Sequence, residues 1–362
     1  GQPGEKVSDP YFNGKGPDRT GCIHCGACMT GCRHNAKNTL DKNYLYLAQD
    51  LGAEILAEHE VIDVRPLDND RGESGYMVQF KKSTGNGKLK KIETRNIVFA
   101  GGVLGTVPLL LKLKQKGSLP DISDMLGGNV RTNNESLMVV TSTDKDHPDY
   151  TSGVSIGSIL DIDKNSHLEP VRYGKGSGFF RMMTMPSAHH KWALLRIAGV
   201  FWKMIKQPFR FVKTLFANRY SSRSVILLFM QTLDSTLRLK TGKLRSLVTE
   251  AESGPLPSGH IPEASKLARK VSAKLNGIPY SNFYDVIRGT PTTAHILGGA
   301  VMGKDPTKGV IDKNNNVFGY KNMMVCDGSM ISANPGVNPS LSITAISELA
   351  MSRIPAKDME SS

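Results

Sequence analysis

Residues 96–102, with the sequence N-I-V-F-A-G-G, restrict the fold more than any other segment of the chain. They read as a short apolar strand that runs into a glycine turn, and a helix is predicted directly after them, over 106–114. In doubly wound α/β sheets, a strand followed by a glycine turn and a helix faces a nucleotide. The segment therefore predicts part of a nucleotide-binding α/β domain.

This α/β pattern is interrupted in the middle of the sequence. Alternation of strands and helices is lost after about residue 117 and returns near residue 291, with mixed strands, basic helices and long loops between. We expect an α/β domain built from 1–116 and 291–362, with residues 117–290 forming an inserted α+β domain. A chain of 362 residues is long enough to bury two cores.

Local patterns place the elements of the first and last segments. Turn residues are expected at 68–70 and 84–87. Asn338 is the predicted N-cap of the last helix and Pro339 its first residue. The predicted helices cover 39–51, 106–114 and 340–354, and the predicted strands cover 60–65, 75–81, 89–100 and 322–326.

Four of the five cysteines follow one another closely, as Cys22, Cys25, Cys28 and Cys32. This spacing can fold a loop around an iron–sulfur cluster, and it is typical of a reducing compartment. Because Arg33 follows the fourth cysteine where ferredoxins have proline, and no second run exists, a structural loop without metal is an equal alternative. Zinc is less favoured, because four ligands this close rarely form a tetrahedral site without a partner knuckle.

Three polar residues stand where ligands bind in α/β folds. His295 precedes the pair Gly298-Gly299, which permits close backbone approach, although a lone histidine is more often a core residue. Asp327 follows the predicted strand 322–326, at the end where open α/β sheets bind ligands. Asn338 opens a helix whose positive N-terminus would face the same crevice. An ordinary turn and an ordinary capped helix are the alternatives for the last two.

Together these motifs resemble the glucose–methanol–choline (GMC) oxidoreductases, a family of flavoproteins, and specifically their cholesterol-oxidase-like branch. The likeness covers nearly the whole chain, and its end, from Gly319 to the last helix, is the most specific part. The motifs that carry it are D-P-Y-F at 9–12, the cysteine run continuing into R-H-N-A-K-N-T at 33–39, A-G-G-V-L-G at 100–105, H-I-L-G-G at 295–299 and G-V-N-P at 336–339.

The resemblance implies a partial FAD-binding, Rossmann-like domain interrupted by an α+β substrate-binding domain. It implies an FAD-dependent oxidase or dehydrogenase acting on the CH–OH group of an alcohol, either a sterol or another small lipophilic alcohol. His295 corresponds to the active-site base and Asn338 to its partner. The implied cofactor-binding residues are Gly101, Gly102, Asp327, Gly328, Val337 and Pro339.

One part of the family pattern is missing. The N-terminal Gly-x-Gly-x-x-Gly fingerprint, which binds the ADP half of FAD, does not occur in this sequence. We therefore expect a fragment, or a chain that alone holds FAD weakly and is inactive. The rival hypothesis is an iron–sulfur electron-transfer protein or a relay module of a dehydrogenase. Neither hypothesis identifies the electron acceptor.

Positive charge is concentrated in one segment. Lys and Arg number 46 against 33 Asp and Glu, a net charge of +13, and no acidic residue occurs over 170–233. Aromatic and aliphatic residues interleave with lysines and arginines over 189–223, which predicts either a contact with a membrane surface or, preferably, a helical cover packed inward. No nucleic-acid-binding motif accompanies the charge, so no nucleic-acid partner is expected. We expect a cytoplasmic protein, membrane-associated if 189–223 binds lipid.

Overall fold

The structure is a computed structural model that describes residues 1–68, 71–242, 247–255, 257–289 and 291–355. The chain divides into two compact units. The first, here called the six-stranded unit, contains Gly1–Ile55, Asn134–Gln231 and Ser258–Thr292. The second, here called the Asp327 unit, contains Leu56–Asn133, Thr232–Pro257 and Thr293–Ser362. The predicted turn at 68–70 lies partly outside the described residues.

The six-stranded unit is built on an antiparallel sheet. The helix Pro262–Lys274 packs on one face of this sheet through Ala264 and Ala268, which contact Met138 and Phe229 in a shared apolar cluster. Ala264 and Ala268 lie one turn apart, so their small side chains share one face of the helix. The strands, in sheet order, are Thr184–Pro186, Gly277–Asn282, Ser136–Ser142, Ser224–Gln231, Ser166–Val171 and Leu160–Asp163.

Shorter elements complete this unit. The helix predicted over 39–51 is divided into a 3-10 turn, Leu40–Lys42, and an α-helix, Tyr44–Asp50, because Asn43 between them leaves helical geometry and its side chain caps the second piece. The remaining elements are the strands Lys6–Val7 and Arg19–Thr20, the 3-10 turns Cys28–Thr30 and Gly178–Met183, and the helices Ala193–Lys206, Pro208–Leu215, Tyr220–Arg223 and Phe283–Ile287.

The Asp327 unit combines small sheets with two long helices around one core, which includes Val64, Tyr76, Val107 and Met323. The strand predicted over 89–100 is two strands in two different sheets. The elements are the antiparallel strands His59–Pro66, Tyr76–Lys82 and Lys90–Thr94, the hairpin Thr236–Thr241 and Leu247–Ser253, the parallel pair Ile97–Phe99 and Met323–Val325, the helices Val103–Lys116 and Ser340–Met351, and the 3-10 turn Gly328–Met330.

The parallel pair positions the candidate site. Ile97 lies opposite Met323 and Phe99 lies opposite Val325. Because parallel strands end at the same edge, the glycine turn after Phe99 and the Asp327 turn after Val325 lie side by side. Strand pairing thus joins residues of the first and last predicted α/β segments.

The two units divide the chain differently from the segments 1–116, 117–290 and 291–362. Gly1–Ile55 groups with the middle of the chain, while Thr232–Pro257 groups with the end. The second grouping follows from backbone pairing through residues 130–131. Val130 exchanges two hydrogen bonds with Leu237, of 2.8 and 2.9 Å, and the next residue, Arg131, exchanges two with Leu297. Which unit binds FAD and which binds substrate stays a prediction.

The preferred interpretation of 189–223, an apolar face packed inward, is wrong. The helix Ala193–Lys206 buries Arg196 and Val200, whereas Leu194 and Phe201 are exposed. Pro208–Leu215 likewise leaves Phe209 exposed. Among the described residues, no helix is both long enough and apolar enough to cross a membrane.

Candidate active site

The carboxylate of Asp327 fastens the glycine turn to the end of the parallel pair. One oxygen accepts hydrogen bonds from the Gly102 N–H at 2.9 Å and from the Thr106 hydroxyl at 2.5 Å. The other accepts from the Ser329 N–H at 2.8 Å and from its hydroxyl at 2.5 Å. A carboxylate has about four lone-pair sites, so these four donors satisfy it.

The glycine turn leaves the start of the helix Val103–Lys116 without a side-chain cap. Gly102, the N-cap residue, has φ +70, a left-handed conformation that favours glycine. Apart from the adjacent residues and the backbone of the helix itself, no atom of the described residues lies within 4 Å of the position that a Cβ would take at Gly102 or at Gly105. An uncapped helix N-terminus beside open space suits the negative oxygens of a ligand.

The loop that carries His295 is held by backbone hydrogen bonds on both sides. Leu297 exchanges two such bonds with Arg131, of 2.8 and 2.9 Å. The Gly298 N–H donates to the Gly328 carbonyl at 3.0 Å, and the Ala300 N–H donates to that of Ser329 at the same distance. His295 itself is partly exposed.

The pair Gly298-Gly299 is explained by packing within the protein. A Cβ on Gly298 would lie 2.1 Å from the carbonyl oxygen of Asn129, and one on Gly299 would lie 2.8 Å from the side chain of Val107. Both glycines also have positive φ angles, of 82° and 95°. The close approach predicted for a ligand is therefore made by the chain itself.

The loop that carries Asn338 is also anchored. The Asn334 side chain accepts from the Gly336 N–H at 2.8 Å and donates to the Leu233 carbonyl at 3.3 Å. Asn133, which is fully buried, donates to the Val337 carbonyl at 2.9 Å. Val337 and Asn338 are exposed.

The last helix begins at residue 340, as predicted, but ends three residues earlier and has a different N-cap. It spans Ser340–Met351, with Pro339 in the N-cap position and no side-chain cap. Asn338 is thus not the N-cap of this helix. Its place just before an uncapped helix start keeps it beside a positive helix terminus.

One short segment, 131–133, joins the His295 loop to the Asn338 loop. The backbone of Arg131 holds Leu297, and the side chain of Asn133 holds the residue before Asn338. The last helix reaches the same place, since Ile343 lies 3.4 Å from the Cβ position of Gly328. Arg131 and Asn133 were not found from the sequence, because no motif surrounds them. Thr106 and Asn334 were also missed, although each adjoins a motif, at 100–105 and at 336–339.

The four cysteines lie in the six-stranded unit, apart from these loops in the sequence. Cys25 pairs through its backbone with Gly153, and the Cys32 sulfur accepts from the N–H groups of Ala36 and Lys37 at 3.3 and 3.4 Å. Burial raises the pKa of the Cys32 thiol, but backbone N–H groups outweigh it and lower the pKa below its usual value. Within the described parts of the chain, no three Cys, His, Asp or Glu side chains are placed to hold a metal. The geometry does not fit the predicted cluster.

The fifth cysteine adjoins the Asp327 turn. Burial, and then the negative charge of Asp327, raise the pKa of the Cys326 thiol to about 11. A thiol with this pKa is protonated at neutral pH and is a poor nucleophile.

Comparison with known proteins agrees with this architecture. Two family models described as GMC oxidoreductase, for N- and C-terminal parts, match residues 16–118 and 244–347, together more than half of the chain. The chain belongs to the GMC oxidoreductase family. A pyridoxine 4-oxidase from Mesorbium loti has a similar structure, with a TM-score of 0.54 at 14% identity over 88% of this chain and 63% of that one. This likeness shows the fold alone, and it confirms the predicted fold class.

Sequence relatives point to the cholesterol-oxidase-like branch. The chain is 44% identical over 365 residues to a cholesterol oxidase from Acinetobacter baumannii, covering 98% of this chain and 65% of that protein. It is 40% identical over 369 residues to a cholesterol oxidase from Mycobacterium tuberculosis, covering 98% and 62%. The chain thus spans somewhat less than two thirds of the length of these relatives.

Proposed function

We propose that this protein takes part in FAD-dependent oxidation of the CH–OH group of a lipophilic alcohol of the sterol class. The observation that carries the proposal is the anchoring of the His295 and Asn338 loops to the one segment 131–133, beside the Asp327 turn. The names of the two cholesterol oxidases support the substrate class.

The residues present fit FAD, the cofactor of the family, at two helix starts. The uncapped start of Val103–Lys116 lies beside open space at Gly102 and suits the phosphate chain. The uncapped start of Ser340–Met351 follows the exposed Val337 and suits the electron-rich end of a flavin. Asp327 acts by holding Gly102 in place, because its carboxylate is already satisfied by protein donors.

His295 and Asn338 divide the work on the substrate hydroxyl. Bound FAD supplies the acceptor for the hydride that leaves the alcohol carbon. An imidazole nitrogen of His295 takes the hydroxyl proton, a task for which histidine is the side chain best suited near neutral pH. The Asn338 amide holds the hydroxyl oxygen by a hydrogen bond, which fixes its orientation toward the base.

The experiment compares sterol turnover, normalised to the FAD bound, in His295→Ala and Asn338→Ala, with the chain supplemented by a domain that carries the Gly-x-Gly-x-x-Gly fingerprint. Loss of a positioned general base costs about 10²–10⁴-fold, so His295→Ala should lose most turnover and Asn338→Ala less. His147→Ala, which changes a histidine of the six-stranded unit, is the matched control and should keep full activity. Near-normal turnover with a lowered melting temperature in His295→Ala would instead make His295 a structural residue.

The iron–sulfur alternative rests on the cysteine spacing and on the N–H groups that donate to the Cys32 sulfur. An absorption spectrum of the purified protein distinguishes the two cofactors. A flavin gives two resolved bands in the near-UV and blue, whereas a cluster gives a broad shoulder that bleaches on reduction.

A further inference from the structure

Two consecutive helices of the six-stranded unit, Ala193–Lys206 and Pro208–Leu215, turn apolar side chains to solvent. Leu194 is 80% exposed, Ile205 70% and Phe209 83%. Large exposed apolar patches are rare on monomeric soluble proteins and mark sites of interaction. The patch, here called the apolar patch, consists of Trp192, Leu194, Leu195, Phe201, Trp202, Ile205, Phe209, Val212 and Phe216.

The orientation of the first helix is fixed by one buried cationic side chain, that of Arg196. Arg196, only 7% exposed, donates to the carbonyls of Val286 and Ile287 at 2.6 and 3.0 Å, and to those of His190 and Lys191 at 2.8 and 3.1 Å. Rotating the helix to bury the apolar patch would remove the Arg196 guanidinium from these four carbonyls. Each carbonyl left buried without a donor would then cost free energy.

Lys203 strengthens this arrangement from the same face. Its ammonium donates to the Ser187 carbonyl, and burial lowers the pKa of the lysine. A surface helix usually turns its charged residues to water and its apolar residues inward. Ala193–Lys206 does the reverse for Arg196, which is buried while Leu194, Phe201 and Ile205 are exposed, so its exposed apolar face is built in.

The positive charge around the apolar patch indicates which kind of partner it would bind. No acidic residue occurs over 170–233, whereas eleven lysines and arginines do. A second copy of this chain would bring the same positive surface into the contact, which like charges oppose. Anionic lipid headgroups would meet positive charge, while the aromatic and aliphatic side chains enter the boundary between headgroups and acyl chains.

We propose that the apolar patch docks this protein on an anionic membrane surface, with its side chains inserted into one leaflet. Tryptophan prefers this depth, because its ring is apolar and its N–H is polar. Trp202 also has the Lys206 ammonium 4.9 Å from its ring centre. The proposal stands apart from the proposed oxidation, because lipid binding requires no turnover.

Tryptophan fluorescence tests the proposal directly, because Trp192 and Trp202 are the two tryptophans of the chain. Mixing the 362-residue protein with vesicles of phosphatidylcholine and phosphatidylglycerol should shift their emission to the blue, and the protein should float with the vesicles. Brominated lipids should quench the emission. Vesicles of phosphatidylcholine alone should bind more weakly, and salt should weaken the binding to anionic vesicles.

A triple variant, Leu194→Ser with Ile205→Ser and Phe209→Ser, should lose about 100-fold or more in vesicle affinity while keeping its melting temperature. The matched control is Leu51→Ser with Leu89→Ser and Ile92→Ser, exposed apolar residues outside the apolar patch, and its affinity should not change. Phe209→Ser alone, the mildest change, should lose part of the affinity even if the triple variant folds poorly.

Removing charge should act only on anionic vesicles. Lys206→Gln with Lys213→Gln should weaken that binding about fivefold per charge. Wild-type protein that fails to float would overturn the proposal, as would a triple variant that folds and binds like wild type. Self-association that the triple variant abolishes, without any vesicle binding, would assign the apolar patch to a second copy.

Discussion

Asp327 and Asp285 are both buried, one in each compact unit, but their carboxylates differ in the number of hydrogen bonds that they accept. Asp327 is 6% exposed and accepts four hydrogen bonds. Asp285 is 4% exposed, and the Thr292 hydroxyl donates to it at 3.3 Å. Burial raises the pKa of Asp285 to about 7, against the opposing hydrogen bonds from Thr292. At equal depth, therefore, the number of donors decides how well a site holds a carboxylate.

The largest effect is expected from Asp327→Ala. The variant leaves the donors of Gly102, Thr106 and Ser329 without their acceptor, and each unsatisfied buried group costs about 1–3 kcal/mol. Because water can reach some of them, we expect the free energy of unfolding to fall by about 3–5 kcal/mol, measured by urea denaturation. Asp50→Ala, at an exposed aspartate, should cost under about 0.5 kcal/mol. If Asp327→Ala lowered the free energy of unfolding by less than about 1 kcal/mol, the four donors would not make Asp327 more stabilising than Asp285.

Asp285→Asn should act in the opposite direction and depend on pH. The folded protein binds the Asp285 proton more tightly than the unfolded chain does, so wild-type stability falls as the pH rises from about 4 to about 7. The amide abolishes this loss. Its stabilising effect should therefore grow by about 2–3 kcal/mol between pH 5 and pH 8, measured by urea denaturation at each pH.

The difference in the free energy of unfolding between variant and wild type reports on Asp285 alone, because its titratable neighbours contribute equally to both proteins. The same cavity is lined by His189, His190, His260, Lys191 and Arg196, and they are present in both proteins. A gain that is the same at both pH values would mean that Asp285 does not titrate between them.

Thr106→Val should give the smallest effect. It keeps the shape of the side chain but removes one donor to Asp327 and the acceptor of the Gly101 N–H. We expect a loss of about 1–2 kcal/mol in urea denaturation, less than in Asp327→Ala because three donors still satisfy the carboxylate. The same change at the exposed Thr241 serves as control. If Thr106→Val lowered the free energy of unfolding as much as Asp327→Ala, the other three donors would contribute nothing measurable to stability.

Local signals explain what the sequence predicted correctly. The apolar strand before Gly101 and the strand before Asp327 each end in turn residues, and parallel pairing then brings both turns to one edge. The N-cap of the last helix was misplaced by one residue, since Asn-Pro signals a helix start without fixing whether Asn338 or Pro339 takes the N-cap position.

Distant contacts explain what the sequence did not predict. Periodicity shows that Ala193–Lys206 has an apolar face, but the side that faces the protein depends on carbonyls near residue 286, to which Arg196 donates. Cysteine spacing permits a metal loop, but the backbone pairing of Cys25 with Gly153 is long-range and invisible in the motif. The anchoring role of Asn133 likewise depends on Val337, far along the chain.

The hydrogen bond between Gly102 and Asp327 spans 225 residues of sequence. Proteins are synthesised from the N-terminus at about 5–20 residues per second, so the glycine turn leaves the ribosome well before its acidic partner exists. Contacts of such long range also form slowly. The nascent protein therefore completes the candidate active site among its last steps, and any chain cut short before residue 327 lacks the group that closes it.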